Sequence, residues 1–407
     1  MTADQAGPEM TPSAPPTGRE RVIMALGHRE PDRVPCDFLA TPEIWERLIA
    51  EVAPNIADIG PAEFIEPARE ALLRHLDVDM RVLSSDMFCQ PPEAVIRPGS
   101  VVDWWGSLDR STPNRMWRQR HADGTNHDIW GCHRQRVSHE FGSYEEFASW
   151  PLQEATSLSD LARYRWPEPD WWDFSRLPEV IHGLDPDRKH HIRFRIGSVF
   201  EVAWQLRGMQ EFLIDLASNP ELPQYIMSRL SELHVENTRR VLDIAGDLID
   251  MVYFYDDVAT QNSLMISPTT WRELVRPHHQ KLVSLAHSRN KPVMYHCDGA
   301  VYPLIPELIE LGIDVLNPIQ PDAKGMEARR LKQEFGDRLT FHGGIDIMKV
   351  LPRGTPDEVR AEVRDRVAVL GKNGGYLLCS SHHIQPDTPV ENVLVMYDTE
   401  LRYRERN

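Results

Sequence analysis

The chain has 407 residues, too many for one ordinary domain but within reach of a large barrel with insertions, and 41% of them are hydrophobic, enough for a sizeable core. A formal net charge of -17 argues against nucleic acid or an anionic membrane face as the main partner. No run of about 18 apolar residues occurs, so no membrane span is expected.

Residues 1–18 are rich in Pro, Ala, Thr and Ser and lack a basic start followed by an apolar block. They read as a disordered tail, not a secretory signal. The cysteines (Cys36, Cys89, Cys132, Cys297, Cys379) are an odd, scattered set with no CxxC pair. That excludes a zinc ribbon and suits a reducing cytoplasm. Residues 19–28 carry Val22, Ile23 and Leu26 on one face of a helix, which Pro31-Asp-Arg-Val-Pro35 breaks. Cys36-Asp-Phe-Leu39 is the first expected strand. Helices follow at 42–52, with Ile44, Leu48 and Ile49 on the apolar face, and at 67–76. The second strand, 80–86, ends in Asp86.

The pattern then changes. Residues 87–190 hold eight of the eleven tryptophans, and turn signals such as Pro98-Gly99 and Asp123-Gly124 separate short apolar runs. An inserted subdomain of hairpins is expected, followed by a short helix from Tyr144. Its tryptophans either roof a pocket or staple a small satellite core.

Regular alternation returns with a third strand at 192–196, and Gly197 opens a helical region carrying Leu206, Phe212, Leu213 and Leu216. The fourth strand, 248–255, ends in Asp256-Asp257. The fifth, 291–295, is followed at once by His296-Cys-Asp298, a turn at Gly299 and a helix over 302–311. The sixth, 313–316, reaches Asn317-Pro318. The seventh, 339–341, ends in His342-Gly-Gly-Ile-Asp346. A helix with Val359, Val363, Val367 and Leu370 leads to the eighth, 376–379, which ends in Ser380-Ser-His-His383.

Eight strand candidates alternating with helices predict an α/β fold, a (β/α)8 TIM barrel with the insertion at about 87–190 between the second and third strands. A doubly wound sheet is the rival, but no GxGxxG follows any strand. Acid and imidazole groups gather at strand ends: Asp86, Asp256, Asp257, His296, Asp298, His342, Asp346, His382 and His383. In a barrel these all lie at one mouth.

These blocks resemble the uroporphyrinogen decarboxylase superfamily, which includes cobalamin-dependent methyltransferases. The resemblance runs from about residue 19 to the end. It rests on Arg19-Glu-Arg-Val, Glu30-Pro-Asp-Arg-Val-Pro35, Tyr295-His-Cys-Asp-Gly299, Asp314-Val-Leu-Asn-Pro318, Phe341-His-Gly-Gly-Ile-Asp346, Gly374-Gly-Tyr376 and His382-His-Ile-Gln-Pro-Asp387. It implies a (β/α)8 barrel. True decarboxylases carry an arginine-rich loop, Arg-Gln-Ala-Gly-Arg, after the first strand. Here that place reads Asp37-Phe-Leu-Ala-Thr-Pro-Glu-Ile-Trp45, without the counter-charges an octa-acid tetrapyrrole needs. The strand-end aspartate of the family matches Asp86, its late histidine matches His382, and its tyrosine position falls on Trp204.

The methyltransferase branch carries zinc on His-x-Cys after the fifth strand and a Cys after the eighth. His296 matches that histidine, while Asp298 and His382 stand where the cysteines belong, with Cys297 between as a further ligand candidate. Oxygen and nitrogen donors would make a better Lewis acid and a poorer activator of a thiol than thiolates do.

The resemblance therefore implies a methyltransferase or demethylase acting on a small methylated substrate. The methyl group would pass to a corrinoid (cobalamin) on a partner protein, with zinc assistance. His296, Asp86, His382 and Asp298 are the expected catalytic residues. Asp256, Asp257, Gln261, His342, Asp346 and Trp204 are the expected substrate contacts. The alternatives are decarboxylation of a porphyrinogen or other acid, with Asp86 stabilising a protonated intermediate, and a barrel that only binds a ligand. For His296 with Asp298 the plain alternative is a histidine tying down a loop. Cys297 reads more readily as a buried small hydrophobe than as a ligand. Adjacent His382 and His383 are expected to point opposite ways, with His382 facing the pocket. His278 and His279 are expected at the surface. A cytoplasmic protein is expected, and both a monomer and a homodimer remain open.

Overall fold

Runs such as Val252-Tyr-Phe-Tyr255 and Thr340-Phe341 form the strands of a parallel sheet, because β-branched and aromatic side chains fill a surface buried on both faces. The computed structural model describes residues 14–52, 67–106, 115–139 and 142–403. Among them are two sheets, with strands numbered along the chain. β1 (Met80–Ser84), β7 (His191–Arg195), β8 (Met251–Tyr255), β9 (Val293–His296), β10 (Val315–Ile319), β11 (Thr340–Ile345) and β12 (Tyr376–Ser380) pair in that order, all parallel. β2 (Val101–Gly106), β3 (Arg115–Arg120), β4 (Asn126–His127), β5 (His133–His139) and β6 (Gly142–Ser149) form an antiparallel sheet.

The first expected strand does not form a regular ladder. Cys36 and Ala40 make isolated parallel bridges to Leu378 and Ile384, and Asp79 N donates to Cys36 O on the other side. Side chains take the donors a ladder would use: Cys36 N bonds Asp79 Oδ2 and Phe38 N bonds Asp37 Oδ1. The segment thus lies between β12 and β1, the two edges of the seven-stranded sheet.

The helix Gly18–Leu26 begins with a capping box between Thr17 and Glu20, so the last residues of the expected tail are ordered; residues 1–13 lie outside the described residues. Its Val22 and Ala25 pack on Met80, Met251, Met294, Val315 and Leu377. Side chains alternate along a strand, so the residues two further on share that face. They are Val82, Tyr253, His296, Asn317 and Cys379, and Arg193 and His342 of β7 and β11 are buried at the same interior. An apolar floor is therefore overlaid by a polar layer.

Residue 144, the expected start of a helix, pairs with Val137 within β6. Arg136 stands opposite Glu145 there, an opposite-charge cross-strand pair that favours the ladder. Helix resumes later, at Leu158–Arg163 and Leu177–Leu184. Trp166, Trp171 and Trp172 are buried in the same core as Phe194 and Phe254 and do not form a separate cluster. No helix of the described residues is long and apolar enough to cross a membrane.

His278 and His279 are buried, contrary to their expected surface position. The helix Arg276–Ser288 turns this face onto the helix Glu221–Ala245, where His278 Nδ1 lies 3.2 Å from Ser231 Oγ.

Candidate active site at the strand ends

His296 is the last residue of β9. Its Nε2 lies 3.7 Å from Asp257 Oδ1 and 3.8 Å from Asp298 Oδ2. His382 Nε2 lies 3.4 Å from the same Asp298 oxygen. One donor atom from each of Asp257, His296 and Asp298 falls within 4.8 Å of the other two. Pairing explains the convergence. Tyr255 stands opposite His296, so Asp257 leaves β8 just above it. Asp298 N then donates to Asp257 Oδ1 at 2.7 Å. Gly299 turns the chain at φ 86°, where a Cβ would sit 2.5 Å from the Thr260 carbonyl oxygen. Gln320 Nε2 donates to Asp298 Oδ1 at 2.8 Å, and its Oε1 accepts from Gly299 N and Gln261 Nε2. Gln261 is thus placed to hold Gln320.

Burial pushes the Asp257 pKa up; His296 opposes this and Asp298 adds to it. Glu201, in the first turn of the helix Phe200–Arg207, is pushed well above the carboxylate range by burial and then by Asp257, Asp256 and Asp298. The site is a crowded carboxylate cluster with an imidazole at its edge.

The neighbouring aspartate behaves differently. Asp256, expected at the pocket rim, is fully buried with every acceptor engaged. It accepts from Ser198 Oγ at 2.5 Å, Glu201 N at 2.8 Å, Val199 N at 3.2 Å and His279 Nε2 at 2.6 Å. It fastens the helix after β7 to β8. Cys297 is also buried; its Sγ accepts from Val258 N, and burial keeps its thiol protonated. Its Sγ–H reaches the Asp298 carbonyl oxygen at 3.4 Å, and it is not among the donor atoms that gather at Asp257, His296 and Asp298.

Asp86 follows β1 in the turn Ser85–Phe88 and pairs with Arg195 Nη2 at 3.2 Å. Arg195 stacks over the Tyr255 ring, which lies at the same edge as His296. Asp86 therefore sits at the same end of the sheet, held by an arginine. Trp204 packs edge-on to Phe147 of β6. Asp346 caps the following turn through Met348 N and Lys349 N. His342 lies below the mouth, bonded to Asp37 and Asn317. His382 and His383 do not diverge: they follow β12 in a bend, and their rings meet edge to face at 4.8 Å.

Sequence reasoning missed Glu201, Gln320, Arg193 and Asp37 as contributors. Alternation in Ile192-Arg-Phe-Arg-Ile196 could have flagged Arg193 as inward-facing, but nothing local pairs it with Asp37. An open groove of about 760 Å³ starts beside this cluster, lined by Leu264, Met265, Ile266, Ala300, Tyr302 and Lys324 among others.

A methylated-thiol–coenzyme M methyltransferase of Methanosarcina mazei is 23% identical to this chain over 240 residues, covering 56% of this chain and 61% of the relative. The chain thus matches well under two thirds of that relative's length. A solved structure of a methyltransferase from Methanosarcina mazei superposes with a TM-score of 0.58 at 18% identity, covering 95% of this chain and 98% of the other, a likeness of fold. Residues 155–403 match the model of the family described as uroporphyrinogen decarboxylase (URO-D). That match spans more than half of the sequence, and the chain belongs to the uroporphyrinogen decarboxylase family.

Proposed function

We propose that the protein is a methyltransferase that moves a methyl group from a small O-, N- or S-methylated substrate to a corrinoid held by a separate protein. His296, Asp257, Asp298 and His382 would hold a divalent metal, zinc by their chemistry. The observation that carries this reading is their convergence at the strand ends of a chain similar to a methyltransferase. The donors fit: imidazole nitrogen and carboxylate oxygen are both zinc ligands at about 2.0–2.2 Å. The raised pKa values of Asp257 and Glu201 mark carboxylates that a cation would relieve. Asp257 takes a position that the resemblance alone did not assign.

A divalent metal bound there supplies a Lewis acid for the leaving heteroatom. The chain does the rest. Gln320 orients Asp298, and Asp298 N in turn fixes Asp257. When the carbon–heteroatom bond breaks, the heteroatom keeps the electron pair and takes up a proton. Glu201, kept protonated first of all by burial, which a bound cation does not undo, is the proton source. Asp86, held by Arg195, frames the substrate on the β1 side. The fold reading is a (β/α)8 barrel closed by residues 36–40, with residues 19–407 as one domain carrying the insertion at about 87–190.

Purified protein is expected to hold stoichiometric metal and to methylate free cob(I)alamin from a methyl donor, followed by absorbance. His296→Ala should abolish both while remaining folded. Appreciable uroporphyrinogen turnover would replace this reading with decarboxylation. Tight ligand binding with neither metal nor turnover would leave a binding barrel.

A further inference from the structure

Beneath His296 a chain of hydrogen bonds crosses the inside of the sheet. His296 Nδ1 lies 2.6 Å from Asn317 Oδ1. Asn317 Nδ2 lies 2.5 Å from His342 Nδ1. His342 Nε2 lies 2.8 Å from Asp37 Oδ2. Arg193 Nη1 closes the chain 2.6 Å from that same Asp37 oxygen, and Phe38 N bonds the other one. Asn317, His342, Asp37 and Arg193 are all buried, and they come from β10, β11, the bridging segment and β7.

We propose that Asp37, His342 and Asn317 form a relay that holds a proton on His296 Nδ1 and fixes the ring, so that Nε2 is the nitrogen aimed at Asp257 and Asp298. They are positioning residues, and the inference rests on the metal-site reading above. The logic runs from the charged end. Burial alone would raise the Asp37 pKa, but the Arg193 guanidinium, followed by His342, pulls it down to about 2, so Asp37 is a carboxylate. A carboxylate accepts only, so His342 Nε2 must carry a proton. Burial keeps the His342 ring neutral, so its Nδ1 is bare and accepts. Asn317 must therefore present its NH2 to His342 and its oxygen to His296. That oxygen requires a proton on His296 Nδ1, which leaves Nε2 as the ring nitrogen available to a metal.

The reversed amide fails on the same count. Asn317 oxygen facing His342 Nδ1 would move the proton there. A bare Nε2 would then face the Asp37 carboxylate at 2.8 Å, lone pair to lone pair. Only a doubly protonated His342 would escape, in a completely buried position already beside Arg193. A hydrogen bond on the far nitrogen of a metal-bound histidine sets its tautomer, ring orientation and basicity, and its loss typically costs about 10–100-fold in metal affinity.

The test needs no turnover. In metal-free protein labelled with 15N-histidine, His296 should carry a proton on Nδ1, and His342 a proton on Nε2 with a bare Nδ1, with resonances assigned by loss in single His variants. Asn317→Ala should bind zinc about 10–100-fold more weakly by chelator competition. Asn317→Asp, protonated on the oxygen that faces His342 Nδ1, keeps an acceptor on His296 Nδ1 and should bind zinc close to wild type. This variant and the wild-type spectrum decide the matter if Asn317→Ala does not fold. A His296 Nδ1 without a proton, or unchanged zinc affinity in folded Asn317→Ala, overturns the relay. If wild-type protein shows the stated tautomers but binds no zinc, the metal-site reading fails while the relay stands.

Discussion

Asp256 and Asp257 are neighbours of identical chemistry that the fold gives opposite tasks, so replacing each by alanine separates architecture from chemistry. Asp256→Ala removes one partner of a buried pair with His279, a loss worth roughly 3–5 kcal/mol. The outcome should lie at the upper end, because Ser198 Oγ, Val199 N and Glu201 N also lose their acceptor, at about 1–3 kcal/mol for each buried group left unsatisfied. That is a large part of the ~5–15 kcal/mol that holds a typical protein folded. The Asp257 side chain is 34% exposed and accepts one backbone N–H, so Asp257→Ala should cost about 1 kcal/mol or less. It relieves repulsion with Asp298 while removing a metal donor. Urea unfolding at neutral pH gives the stabilities, and chelator competition gives the zinc affinities. Equal stabilities, or a stable Asp256→Ala that has lost zinc, would refute the division. The sign with pH follows. His279, Ser198 and Glu201 N hold the Asp256 carboxyl below its usual value against the cost of burial. Its contribution is therefore present above about pH 3.9 and is lost as pH falls through the lower folded value.

Other outcomes can be checked in the same assays. Burial pushes Glu362 up to about 7 despite Arg366, so the folded state holds a proton that the unfolded chain releases near pH 4.3. Stability should thus fall as pH rises through about 7, and Glu362→Gln should flatten the curve and gain roughly 1–3 kcal/mol at pH 8. A pH profile unchanged by the substitution would contradict this. Gly299→Ala must adopt φ near 86° with its Cβ against Thr260 O; a loss of roughly 1–3 kcal/mol and weaker zinc binding are expected, since that turn carries Asp298. Arg193→Met leaves Asp37 as a buried carboxylate without its guanidinium partner and should cost roughly 3–5 kcal/mol by urea unfolding, an effect that neutral tolerance would disprove.

Much of this protein is set by local chemistry. The helix Pro42–Val52 follows from its apolar spacing, and the helix Pro356–Leu370 from its capping box and the Val359, Val363, Val367 and Leu370 stripe. The alternation of strands and helices and the placing of His296, Asp298 and Asp257 at strand ends are likewise legible, because they depend on periods of two and about four along the chain. Tertiary packing decided the rest. Whether Asp256 or Asp257 meets solvent depends on which way one residue turns at the end of β8. Whether His279 lies outside or inside depends on how the helix Arg276–Ser288 lies against β8 and β9, where this ring meets Asp256, Phe254 and Tyr295. The pairing of Arg193 with Asp37 joins residues with six strands between them in sequence, and that of Asn317 with His342 joins neighbouring strands. Alternation says that such side chains point inward; only the register between neighbouring strands says which of them meet.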